Sequence, residues 1–135
     1  MTEHYVVDTS VYIDFGRLRL GEFTDRTPVL TAVTLAELAF GLGLGNPTVQ
    51  AERDRLYREA LDLFEILPFG VEEAKIYGVL ATLVRAVGRN PRPRRLDLQI
   101  AATAAAAKLP LVTCNPDDFV GIDRLVDVIA VEPAS

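Results

Sequence analysis

Five short runs rich in β-branched and aromatic residues, at positions 5–7, 29–33, 65–69, 109–113 and 128–131, alternate along the chain with longer segments of helical period. Strands that arrive one at a time pair in parallel, because the intervening helix carries the chain back across the sheet before the next strand begins. The order therefore predicts an α/β fold: a central parallel sheet of about five strands flanked by helices. With 135 residues, half of them apolar, the chain suits one core and is short for two, so one domain over 1–135 is expected.

The helical segments have recognisable ends. Asn46 followed by Pro47 opens one over 46–64, with Val49, Leu56, Tyr57, Ala60, Leu61 and Phe64 along one face. A second, 71–87, places Ala74, Tyr77, Leu80, Ala81, Val84 and Val87 inward and stops at Gly88. A third, 96–108, is crowded with alanine, which suits close approach to the sheet or a neighbouring helix. Between the last two lies GRNPRPRR, 88–95, whose two prolines and four arginines predict an exposed loop.

Several chemistries are excluded early. No apolar window approaches the ~18 residues of a membrane span, and MTEHYVVD lacks the order of a secretory signal, so a cytoplasmic protein without a membrane partner is expected. One cysteine, Cys114, and one histidine, His4, leave no internal disulfide, zinc cluster or histidine-dependent triad. Cys114 reads as a small buried residue at a strand end; His4 carries no assignment. The net charge is −5, but no acid lies between Glu73 and Asp97, where Lys75, Arg85, Arg89, Arg92, Arg94 and Arg95 fall, leaving about −11 on the rest. The molecule is electrically two-sided.

Asp8 follows the first strand, Glu37 lies where the second turns into a helix, Asp97 opens the alanine-rich helix, and Asp117 and Asp118 follow the fourth strand. Each has an ordinary structural explanation: a turn acceptor at Asp8, a capping box Thr34-x-x-Glu37, a helix-dipole partner at Asp97, turn chemistry at 117–118. Together they say more, because ligands of open parallel sheets bind outside the carboxyl ends of strands, where these residues, far apart in sequence, can be neighbours. Carboxylates gathered there repel one another unless a cation neutralises them. Oxygen-only donors select a hard ion such as Mg²⁺ or Mn²⁺, whose open coordination positions suit phosphate oxygens and an attacking water.

Four segments, VVDTSVYIDF (6–15), TAVTLAELAFGL (31–42), LDLQIAATA (96–104) and VTCNPDDF (112–119), resemble in content and order a PIN domain of the VapC type, the toxin ribonucleases of bacterial toxin–antitoxin pairs. The resemblance implies that Asp8, Glu37 and Asp97 surround one or two Mg²⁺ or Mn²⁺ ions. It implies a fourth acid, assigned to Asp118, with Asn115 as a neutral or water-mediated alternative and Asp117 facing solvent. Thr113 resembles the family's hydroxyl that orients an active-site carboxylate. The resemblance further implies hydrolysis of RNA to 5′-phosphate ends, a homodimer, and a VapB-type antitoxin whose carboxyl-terminal segment covers the acidic pocket.

Arg92, Arg94 and Arg95, just before Asp97, suit an RNA-backbone rim, or simply a solvated rigid loop. The apolar LAELAFGLGLG, 35–45, suits core packing, with Phe40 and its neighbours as a possible antitoxin groove. Asp14 is expected on the exposed face of a first short helix. Two other functions compete. A phosphoacceptor receiver domain needs an Asp after its third strand and a Lys after its fifth, but EILPF runs into Gly70 and VIAVE into Pro133. A non-catalytic PIN-like module binding RNA or protein would have no reason to retain a mutually repelling set of acids.

Overall fold

The computed structural model describes residues 3–134. Five strands, β1 (His4–Val7), β3 (Thr27–Thr31), β4 (Ile66–Leu67), β5 (Leu111–Thr113) and β6 (Val128–Ala130), form one wholly parallel sheet in the order β4-β3-β1-β5-β6. The helices are α1 (Thr9–Ile13), α2 (Ala32–Phe40), α3 (Pro47–Leu63), α4 (Val71–Ala86) and α5 (Arg95–Ala107). The expected parallel α/β architecture is present. Two elements were not anticipated: β2 (Leu18–Arg19) and β7 (Glu132–Pro133) pair antiparallel as a separate ribbon. No helix among the described residues is long and apolar enough to cross a membrane.

The strands are buried on both faces, as strands covered by helices on either side must be. Side chains alternate, so Tyr5 and Val7 pack with Val11, Leu30, Ala60 and Val112 on one face, while Val6 packs with Val29, Leu80, Val84, Leu98 and Leu111 on the other. Alanines at 101, 102 and 104 let α5 lie tightly against the second face, and α4 packs along α5. Pro28 is tolerated inside β3 for a positional reason. Leu30, two residues on, donates its N–H to Glu65 of the β4 side; β4 first pairs at Leu30, so the N–H that Pro28 lacks would meet no strand.

Boundaries moved where local signals overlapped. The second strand ends at Thr31, not Val33, and the third and fourth are shorter than their apolar runs. In α4 the buried face is Leu80, Ala81 and Val84, with Ile76, Tyr77 and Leu83 partly covered, whereas Ala74 and Val87 are exposed. Val87 instead lies against Gly121, whose backbone (φ 100°) would place a Cβ 3.0 Å from Val87 Cγ2. On α3, Ala60 is buried and Leu56 and Phe64 pack on the core, but Val49 and Leu61 face outward. Segment 88–95 is more ordered than a loop: Pro91 is buried, Arg92–Arg94 form a 3₁₀ turn, and Arg95 already belongs to α5.

This topology creates the site. Chain order runs from β1 outward through β3 to β4 and then returns to the other side of β1, so a crevice opens at the carboxyl end of β1. Helix α5 leads into β5 and runs antiparallel to it, which brings its first turn, with Asp97, to that same edge.

Candidate active site

Asp8 is the residue after β1 and is 4% exposed. Its backbone N–H still donates to Val112 O (3.2 Å), extending the sheet by one rung. Its side chain is held at both oxygens: Oδ1 accepts from Val11 N (3.0 Å) and Ser10 Oγ (2.7 Å), and Oδ2 accepts from Thr113 Oγ1 (2.5 Å). Register explains the last bond. Val7 pairs with Val112, so the next residues, Asp8 and Thr113, stand side by side. Asp8 caps α1, as its ordinary structural reading requires, while occupying the switch point of the sheet.

Glu37 reaches the same edge from α2. The expected capping box does not form: the N-cap is Thr31, whose hydroxyl accepts from Thr34 N (3.1 Å). Glu37 is therefore in the second turn and free of capping. Its Oε1 accepts from Thr9 Oγ1 (2.7 Å), and Thr9 Oγ1 also lies 3.0 Å from the Thr34 hydroxyl. Thr9 and Ser10, neither of which the sequence singled out, thus each orient one acid. The signal available was the triplet Asp8-Thr9-Ser10, two hydroxyls following a carboxylate at a strand end.

Asp97, in the first turn of α5, shows that these acids share one field. Burial pushes its carboxyl up to about 6, and the charges of Asp118, Asp8 and Glu37 push in the same direction, opposed by Arg94. Asp118 lies in the 3₁₀ turn Pro116–Phe119 after β5, with its Oδ1 3.8 Å from Arg94 Nε. That guanidinium is turned inward, and its buried Nε has no hydrogen-bond partner. Arg94 thus parts from Arg92 and Arg95, which are exposed. Asn115 is exposed and contributes through its backbone, donating N–H to Thr113 Oγ1 (2.9 Å). Asp117 is exposed, its carbonyl accepting from Arg89.

The remaining candidates fall outside this cluster. Cys114 is only partly buried, and its thiol is raised by desolvation and by the Asp8 charge, which disfavours a thiolate nucleophile. Asp14 is exposed at the end of α1, and His4 begins β1. Beside Glu37 opens an apolar groove of about 650 Å³ between α2 and the start of α5, lined by Ala36, Phe40, Phe69, Leu96 and Gln99.

The donor set suits a hard divalent ion: carboxylate oxygens only, in a field negative enough to hold a proton on Asp97 near pH 6. Among the described residues these acids are not drawn into a ready cluster of three or more ligands. Like charges facing one another keep their distance until a cation stands between them. The chemistry of the donors fits such an ion.

Residues 5–125 match the family model of the PIN domain. The chain is 38% identical over 128 residues to ribonuclease VapC5 of Mycobacterium tuberculosis, covering 91% of this chain and 90% of that one. It is 29% identical over 128 residues to a ribonuclease VapC of Rickettsia bellii, covering 89% and 91%. Among solved structures it is similar to VapBC-5 of Mycobacterium tuberculosis, a member of the VapBC family of toxin–antitoxin systems, with a TM-score of 0.77, 32% identity and coverage of 95% and 98%. The chain belongs to the PIN domain family, on its VapC branch.

Proposed function

We propose that this chain is a divalent-metal-dependent endoribonuclease acting as the toxin of a toxin–antitoxin pair in the cytoplasm. The observation that carries the reading is the convergence of Asp8, Glu37, Asp97 and Asp118 at the carboxyl edge of the sheet, felt in the raised carboxyl of Asp97. The ribonuclease names of relatives sharing about nine-tenths of the chain, and the toxin–antitoxin structure it resembles, support it.

These four acids would hold Mg²⁺ or Mn²⁺, which when bound supplies positive charge against the scissile phosphate and acidifies water for in-line attack. The protein's part is orientation. Thr113, Ser10 and the Val11 N–H leave Asp8 little freedom, and Thr9 fixes Glu37, so these two carboxylates meet the substrate already aligned. Asp97 is the adaptable member: with its carboxyl lifted to about 6 it keeps part of its protonation only below neutral pH, and a cation would make its charge tolerable. Arg94 offsets repulsion between the acids and an approaching phosphate. RNA hydrolysis would leave a 5′-phosphate. Asn115 is retained as a water-mediated contributor.

The apolar groove beside Glu37 would receive the carboxyl-terminal segment of a VapB-type antitoxin, with a basic residue reaching the acids. Phe40, 84% exposed, forms one wall of it. A homodimer is proposed as the working unit. The receiver alternative is disfavoured because Pro68, Phe69 and Gly70 follow β4 with no acid. The test is induced expression in a bacterial host with mapping of RNA 5′ ends. New 5′-phosphate ends in the wild type, absent with Asp8→Asn and Asp97→Asn, are expected; identical ends in all three would overturn the reading.

A further inference from the structure

On the far side of Arg95 from the acids, a second concavity of about 390 Å³ lies between α4 and the turn that opens α5. Its walls carry Tyr77, Gly78, Arg85, Asn90, Arg92 and Arg95. Among the described residues, Arg85, Arg92 and Arg95 make no ion pair with any carboxylate, in contrast to Arg94 beside Asp118 and Arg55 between Glu52 and Glu59. Three unneutralised guanidinium groups around one cleft, on a chain of net charge −5, make a local anion site on a molecule that otherwise repels anions.

The cleft is held in shape. Pro91 is buried, Asn90 Oδ1 accepts from Arg92 N (3.0 Å), and Arg95 Nη1 donates to Arg92 O (3.1 Å), so the arginines project from an ordered turn. Gly78 sits in mid-helix at this cleft, and a Cβ there would meet nothing within 4 Å, so the cleft floor is open.

We propose that this cleft is a backbone subsite for single-stranded RNA, holding phosphates of the nucleotides that flank the scissile bond. The proposal rests on the ribonuclease reading above. Guanidinium forks match phosphate oxygens in pairs, and the Tyr77 ring at the cleft offers a surface for a base. Continuity favours RNA over an acidic peptide. Arg95 lines both this cleft and the groove that contains Glu37, so a strand with one phosphate at the acids can follow Arg95 into the cleft without leaving the surface.

The test is fluorescence anisotropy of a labelled single-stranded RNA octamer, titrated at several salt concentrations. Asp97→Asn serves as the background so that the RNA stays intact; cleavage by the unsubstituted chain is measured separately. Adding Arg85→Gln with Arg92→Gln should weaken binding roughly tenfold at low salt and flatten the salt dependence by about 1.4 in log–log slope, two phosphate contacts' worth for a single strand. Arg58→Gln, on α3, controls for lost charge and should change neither. Gly78→Leu fills the cleft while keeping every arginine and should weaken binding without lowering the melting temperature.

Octamer affinity and slope unchanged by both the double variant and Gly78→Leu, in a chain that cuts RNA, overturns the subsite and leaves the ribonuclease reading standing. Hexaglutamate binding that needs Arg85 and Arg92 while RNA binding does not would assign the cleft to an acidic protein and likewise overturn it. A wild-type chain that neither binds nor cuts RNA overturns both.

Discussion

Thr113 Oγ1 donates to Asp8 Oδ2 over 2.5 Å, joining residues 105 apart in sequence, and the same oxygen accepts the Asn115 N–H. One hydroxyl therefore ties the end of β1 to the turn that carries Asp118. Thr113→Val keeps the shape and removes both bonds in a fully buried place. The expected cost is about 1–3 kcal/mol of stability, read from urea unfolding, because Asp8 loses its donor and Asn115 its acceptor. Cleavage should fall by more than tenfold, since Asp8 would no longer be held.

Asp97 makes metal-free stability depend on pH with a definite sign. Its folded pKa of about 6 lies above the ordinary aspartate value, so the folded protein binds the proton more tightly than the unfolded chain. This contribution is fully present below about pH 4 and is lost as pH rises through about 6. Asp97→Asn, a permanently neutral mimic, should match the wild type near pH 4 and exceed it at pH 7.5 by on the order of 1 kcal/mol after solvent screening. Thermal melts in chelator at the two pH values check this; a variant less stable at pH 7.5 contradicts it.

The cap of α2 separates stability from activity. Thr31→Ala removes the acceptor for Thr34 N and should cost about 1 kcal/mol. Glu37→Gln keeps an oxygen for Thr9 and should shift stability by less than about 0.5 kcal/mol, as expected for a partly exposed residue that caps nothing, while cleavage is lost. If Glu37→Gln proves as destabilising as Thr31→Ala, the assignment of the cap to Thr31 is wrong.

Phe40→Glu tests the partner groove. Because the ring is largely exposed, the melting temperature should stay within about a degree or two, while the affinity of the cognate antitoxin falls at least tenfold. Unchanged affinity in calorimetric titration would move the partner elsewhere.

Much of the fold and the main acids were legible because their signals are local and then multiplied by topology: a β-branched run ending in Asp8, a helix opening at Asp97, and a strand order that puts both at one edge. What was not legible depends on position within a turn of helix or on contact across the chain. Thr31 and Thr34 are both reasonable caps in TAVT, and only the true end of β3 decides between them. Arg92, Arg94 and Arg95 look alike in sequence, yet the 3₁₀ turn sends Arg94 toward Asp118 and leaves the other two on the far wall. The ribbon β2–β7 joins LR to EP, runs too short to carry a strand signal, and exists because residues 132–134 come to lie beside residues 17–19. The period of α4 puts Ala74 and Val87 inward, but α5 and the core it belongs to cover only the part of that face around Leu80 and Val84.

A single cation site formed by acids from distant parts of the chain is what the proposed chemistry requires. Anomalous X-ray scattering from crystals grown with Mn²⁺ measures this directly. A peak about 2.0–2.3 Å from carboxylate oxygens of both Asp8 and Asp97, lost with Asp8→Asn, is the predicted result. Saturating Mn²⁺ with no peak between these two residues, or with the peak elsewhere on the molecule, would contradict it.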